Sequence, residues 1–234
     1  MPTSVTLLVG DSQLEIIPQE GAVLAKFQNH GEQFLAETPW AAAVVTSATP
    51  APDEPSWVKN WRGGWQLCAP NTGSPGERDQ DSAFHGAASQ ANWIVSGVTN
   101  DSVSLSWMDD RGEIELARRW NIGETGVVST TTSATNHSGV QKVLGLAEHL
   151  ILGSDFLNSE ITLEPIGNAQ FRELSYDGSA NGAEFAPWEN FNLRGWAKID
   201  NNTPARMGVF SDTSCIKVWN DFYEIEISWD SSSL

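Results

Sequence analysis

Positive charge is scarce in this 234-residue chain: 13 Lys and Arg stand against 30 Asp and Glu, a formal net charge of −17. A surface that acidic repels phosphate backbones and anionic headgroups, which makes nucleic acid and membranes poor partners. No apolar run approaches the ~18 residues of a membrane span. The opening MPTSVTLLVGDSQLEI lacks the basic region and small-residue cleavage pattern of a secretory leader. Cysteine occurs twice, as Cys68 and Cys215. That is too few for a disulfide scaffold and reads as two reduced, buried thiols in a cytoplasmic protein. Charged residues make up only 18% and hydrophobic ones 40%, so disorder is excluded and a sizeable core is expected. The length suits one large β or α/β domain, or at most two small ones.

A helical stripe is also missing, since no segment carries one over three turns. Period two dominates instead. Apolar and serine positions alternate through Ser102–Trp107, and Tyr223, Ile225, Ile227 and Trp229 share one face. Ile114, Leu116 and Trp120 do the same, and Val127–Thr135 is β-branched and hydroxyl-rich. These segments predict half-buried antiparallel strands. Turn signals separate them: Gly10-Asp11, His30-Gly31, Arg111-Gly112, His137-Ser138-Gly139 and Asn201-Asn202. An all-β sandwich or barrel is the expected fold class. Two stretches, Thr46–Asn60 and Asn71–Ala83, are rich in Pro, Gly, Asp and Ser and read as long irregular loops of the kind that carry binding residues. Tryptophan is abundant at 11 residues; most are expected in the core, the rest being candidate faces for stacking on sugar rings.

Local catalytic signatures are absent: there is no G-x-S-x-G, C-x-x-C, P-loop or G-x-G-x-x-G, and the four histidines are too dispersed for a local zinc pair. His30 and His137 sit in Asn-His turns and read as solvated. His85 follows the second polar loop, and His149 interrupts an apolar run, Leu144–Leu152. Either is a satisfied core histidine or a proton-transfer group working near neutrality.

The ordered set Trp61-Arg62-Gly63-Gly64-Trp65-Gln66-Leu67-Cys68-Ala69-Pro70-Asn71, Phe84-His85-Gly86 with Trp93 downstream, and Glu148-His149 with a following Gly-x-x-Phe resembles the galactose mutarotase (aldose 1-epimerase) superfamily. The opening strand pair around Leu14–Ala22 and the segments Cys215–Trp219 and Tyr223–Trp229 extend the resemblance to the C-terminus. It implies a single domain over residues 1–234, an antiparallel β-supersandwich with a sugar cleft. His149 would be the catalytic acid that protonates the ring oxygen. His85, Arg62, Trp65 and Gln66 would bind the sugar, and the chemistry would need neither metal nor cofactor. A C-terminal carboxylate serves the family as base on the anomeric hydroxyl. The family pattern is expected to continue past Leu234 and to place that base there. Glu148 alternates away from His149 on its strand, and Glu184 and Glu189, in the loop-like Gly178–Arg194, are weak substitutes. Family members that act on hexose 6-phosphates carry an arginine where this chain has Ser89, so a free, non-phosphorylated sugar is expected. The expected activity is anomer interconversion by acid–base ring opening. A non-catalytic sugar-binding protein on the same fold is the alternative, and a β-sandwich without a carbohydrate role stands behind both. Polarimetry separates the first two, and titration of tryptophan fluorescence with sugar separates the last two.

Overall fold

A computed structural model describes residues 3–44, 50–76, 83–175, 179 and 183–230. Strand accounts for 43% of the described residues and helix for 9%, as the period-two pattern requires. In chain order the strands are β1 (Val5–Val9), β2 (Ser12–Ile17), β3 (Val23–Asn29), β4 (Glu32–Gln33), β5 (Trp65–Cys68), β6 (Ile94–Val98), β7 (Ser102–Met108), β8 (Ile114–Ile122), β9 (Val128–Asn136) and β10 (Ala147–Leu150). They continue with β11 (Ile161–Pro165), β12 (Gln170–Leu174), β13 (Ala186–Pro187), β14 (Lys198–Ile199), β15 (Met207–Ser211), β16 (Cys215–Trp219) and β17 (Glu224–Ser228). Every strand pairing among the described residues is antiparallel.

The chain divides into two compact units, Met1–Asp155 and Phe156–Leu234. In the first, one sheet runs β1-β2-β3-β5-β10, with β4 on β3, and a second runs β6-β7-β8-β9. Alternation sends Leu7, Leu14, Ile16, Leu24 and Leu67 of the first sheet into one core with Val103, Leu105, Ile114, Leu116 and Trp120 of the second. Trp120, fully buried, donates its indole N–H to the Ala22 carbonyl at 3.1 Å, which satisfies its polar atom across the sandwich. The second unit holds the sheets β14-β11-β16-β17 and β13-β12-β15. Phe171 centres its core, with the rings of Phe191 and Phe210 each 4.8 Å away and that of Trp188 at 5.3 Å.

The expected strands and turns are present, but the first long polar stretch is not all irregular. It contains helix α1 (Glu54–Lys59), started by Asp53, whose Oδ1 accepts the Ser56 N–H at 2.9 Å, and by Pro55 in the first turn. The loop-like segment before Arg194 likewise contains β13 and a short helix, α2 (Glu189–Asn192). Of the two long polar stretches and this loop-like segment, residues 46–49, 77–82, 178 and 180–182 lie outside the described residues. Of the 11 tryptophans, Trp57, Trp93, Trp120 and Trp188 are buried, and Trp40 and Trp229 are exposed. Both cysteines are free, yet only Cys68 is buried. Burial, reinforced by Glu148, pushes its thiol up to about 12, so it is inert near neutrality. Cys215, expected to be buried, is half-buried, because β16 packs only one face. No helix among the described residues is long and apolar enough to cross a membrane.

Candidate functional site

Histidines 85 and 149, far apart in sequence, stand with their ring centroids 6.0 Å apart. Strand register explains the second of them. Pairing of β10 with β5 sets His149 opposite Gln66 and Glu148 opposite Leu67. Leu67 belongs to the core, so His149 must project from the outer face of the sheet.

His85 is held by backbone rather than by a strand. Its N–H bonds the Gly73 carbonyl at 2.8 Å, and the Gly73 N–H donates to its Nδ1, also at 2.8 Å. His85 itself adopts φ +57, a left-handed conformation uncommon outside glycine and asparagine. Gly86, next in the chain, has φ +76 and lies so close to the Ala69 carbonyl that any Cβ there would collide with backbone. The His-Gly pair is thus a geometric unit in which glycine lets the histidine loop press onto the end of β5.

An aromatic wall surrounds the pair. Trp57 lies 4.7 Å from the His85 ring and 6.0 Å from that of His149. Trp61 lies 5.0 Å from His149, and Phe84 lies 4.3 Å from His85. Trp57 is fixed by α1 and donates its indole N–H to Ser89 Oγ at 2.9 Å, while Ser89 donates to the Gly86 carbonyl at 2.8 Å. Ser89, the position taken by arginine in hexose-phosphate members of the resembled family, is 1% exposed. Its hydroxyl buttresses the wall by linking the Trp57 indole to the Gly86 carbonyl.

The electrostatics follow from burial. Burial first, and then the neighbouring His149, lowers the His85 imidazole to about 4. The Gly73 N–H needs the lone pair of Nδ1, so the neutral ring carries its proton on Nε2 and offers a donor there. Burial also depresses His149 below the ordinary histidine value, and its Nδ1 is buried without a partner. Among the described residues no carboxylate bonds either ring, and the indole N–H of Trp61 and Oδ1 of Asn71 are likewise buried and unpaired. Proton NMR of the imidazole Cε1–H should show His85 unchanged from pH 8 to about 5 and titrating only near pH 4. A midpoint near 6.5 would contradict the burial and the Gly73 contact.

The remaining expected site residues divide. Arg62 lies on the outer face, and Glu20, 6% exposed, clamps it through bonds of 2.7 Å to Nε and 2.9 Å to Nη2. A further contact of 3.3 Å runs from Nη1 to Glu37, and these carboxylates raise the guanidinium pKa, chiefly through Glu20. Gln66 shares the face of His149, but its amide is spent on the backbone carbonyls of Ser89, Glu20 and Gly21. Trp65, expected at the sugar, is on the other face: it packs at 5.0 Å from Trp120 and donates to Glu148 Oε2 at 2.8 Å. Alternation thus turns Trp65 inward, and backbone carbonyls occupy the amide of Gln66. Glu148 faces away from His149, as alternation required, and meets the buried Arg118 at 2.7 and 2.8 Å. Trp57 and Glu20 carried no expected site role, and Trp61 and Phe84 entered only as motif neighbours of Arg62 and His85. The Asp53-Glu54-Pro55-Ser56 cap was a legible sign of the helix that carries Trp57, whereas nothing in the sequence pairs Glu20 with Arg62.

No family profile matches the chain, and no curated protein matches it. Solved structures do. The protein Slr1438 from Synechocystis sp. PCC 6803 superposes with a TM-score of 0.71 at 15% identity, over 97% of this chain and 77% of that one. A galactose mutarotase related enzyme from Lactobacillus acidophilus gives 0.67 at 14% identity, over 96% and 76%. A galactose mutarotase-like protein from Lactobacillus casei ATCC 334 gives 0.60 at 12% identity, over 96% and 78%. The chain therefore has the galactose mutarotase type of antiparallel fold, as the motif resemblance implied. At these identities the likeness speaks for the fold alone.

Proposed function

We propose that this protein is an aldose 1-epimerase-like isomerase that opens the ring of a free, non-phosphorylated sugar at the His85–His149 pair. One observation carries the reading: two half-buried imidazoles 6.0 Å apart, walled by Trp57, Trp61 and Phe84. Aromatic faces suit the apolar side of a sugar ring. His85, neutral with its proton on Nε2, donates a hydrogen bond to a hydroxyl oxygen. His149, whose Nδ1 is buried, presents Nε2 and, as imidazolium, delivers a proton to the ring oxygen. The anomeric hydroxyl loses its proton to a base, the C1–O5 bond breaks, and rotation about C1–C2 before re-closure gives the other anomer. Arg62, clamped by Glu20, orients hydroxyls. The same proposal takes residues 1–234 as one mutarotase-like domain, located in the cytoplasm, with a small sugar as partner rather than nucleic acid or membrane.

A second reading, a sugar-binding protein without turnover, is favoured by one observation: no carboxylate contacts either histidine among the described residues. The pH dependence of anomer exchange separates the two. The acid must be protonated, and His149 is depressed below 6.5, so the rate rises as pH falls below neutrality. His85 must stay neutral, so the rate falls again near pH 4. Exchange measured by NMR above the uncatalysed background should therefore peak between about pH 4 and 6.5. A maximum above pH 7 would remove His149 as the acid, and no exchange at any pH, with sugar bound, would leave the binding reading.

A further inference from the structure

His85 depends on a buried amide that ring opening does not use. Asn71, 1% exposed, lies just past the end of β5 and opens the second polar stretch. Its Nδ2 donates to the Ala83 carbonyl at 3.0 Å and to the Gly73 carbonyl at 3.3 Å. The two acceptors lie on opposite arms of that stretch, Gly73 near its start and Ala83 at its end, shortly before His85. Gly73 is also the residue that meets the histidine. Its carbonyl accepts the His85 N–H and its own N–H donates to Nδ1, each at 2.8 Å. A backbone bond of 2.7 Å from the Gly145 N–H to the Pro70 carbonyl anchors the chain just before Asn71.

Hydrogen-bond satisfaction does not account for this amide. The Gly73 carbonyl already has a donor in the His85 N–H, and the Ala83 carbonyl has one in the Gly86 N–H at 3.2 Å. Asn71 Oδ1 is itself buried without a partner, and turning the amide round would set that oxygen against two carbonyls. Burying a half-satisfied amide costs more than burying an apolar side chain of the same size. What the amide adds is a fixed separation between the two arms. Gly73 stands at φ +71, and a Cβ on it would meet nothing within 4 Å, so packing does not hold it in place. A neutral imidazole can carry its proton on either ring nitrogen, and the partner of one nitrogen decides which tautomer persists.

We propose that Asn71 is a positioning residue for His85. By tying Ala83 to Gly73 it keeps the Gly73 N–H on Nδ1, and so fixes both the plane of the ring and the proton on Nε2. A ligand then meets a hydrogen-bond donor that is already oriented, and binding does not have to order it. The consequence for turnover rests on the reading of the histidine pair as a sugar site, whereas the tautomer does not.

Long-range proton–nitrogen correlation NMR of the isotope-labelled full chain reads which ring nitrogen carries the proton. In Asn71→Leu, close in volume and without a donor, His85 should exchange between tautomers. Its titration midpoint should rise by about one unit, the worth of a lost bond to the neutral ring. Asn71→Leu should also raise KM for glucose or galactose by about tenfold with kcat nearly unchanged, and should add nothing in the His85→Asn background. A merely structural role would add in the double variant. If Asn71→Leu does not fold, Asn71→Ser, too short to reach both carbonyls, is read by the same signals. A folded variant whose His85 tautomer and midpoint match the starting protein overturns the assignment, and so does full additivity with His85→Asn. Absence of anomer exchange in the starting protein, with the tautomer change present in the variant, overturns the sugar reading alone and leaves Asn71 as the residue that positions His85.

Discussion

Replacing His149 by asparagine is expected to lower the rate of anomer exchange by ~10²–10⁴-fold, the usual contribution of a general acid, with the fold and sugar binding retained. The side chain stands on the outer face of β10, outside the main core, so the change removes a proton donor and ring contacts with Trp57 and Trp61 rather than core packing. His85→Asn should act differently. Asparagine tolerates the left-handed backbone at that position, but it cannot reproduce the neutral imidazole that Gly73 orients toward the ligand. A raised KM with a modest change in kcat is the expected signature of lost uniform binding. Full activity in His149→Asn would refute the acid assignment. Unchanged KM in His85→Asn would refute the hydroxyl contact.

The largest stability effect is expected on the other face of the same strand. Arg118 is fully buried between Glu148, Thr132 and the ring of Trp120, which lies 4.3 Å from its guanidinium carbon. Glu148, by contrast, is 37% exposed. Truncating each partner should therefore be asymmetric. Glu148→Ala strands a buried cation and should cost ~3–5 kcal/mol, the range for breaking a buried pair. Arg118→Met leaves a carboxylate that can turn to water and should cost only roughly 1–2 kcal/mol. Urea denaturation of both variants measures the difference. Equal costs, or a larger cost for Arg118→Met, would show that the pair is held by something other than the burial of its cation. Because the pair ties β10 to β8 and β9, Glu148→Ala should also broaden the His149 imidazole signal, a readout that loss of remote packing would not reproduce.

The strands were legible because burial on one face imposes period two, a local constraint written into residues such as Ser102–Trp107 and Ile114–Trp120. Helix α1 was missed although its cap is local. The Pro-rich context of Asp53-Glu54-Pro55-Ser56 outweighed a signal that only six residues long could not amplify. The motif glycines had an unambiguous physical meaning once folded: Gly63, Gly64 and Gly86 each have positive φ and lie where a Cβ would meet backbone.

Composition and alternation by themselves determined that the chain is an antiparallel β protein with an acidic surface, and the order of its motifs pointed to His85 and His149. Alternation also sufficed to turn Glu148 away from His149. Whether Trp65 meets a sugar or a buried tryptophan depends on which face of β5 the neighbouring strands bury, and that is settled by the register with β3 and β10. The closeness of two histidines from a loop and a distant strand, the bond of Gly73 to Nδ1, the clamp of Glu20 on Arg62 and the burial of Arg118 against Glu148 are likewise tertiary. Each depends on contacts between residues remote in the chain, and only the folded backbone brings those residues within hydrogen-bonding distance.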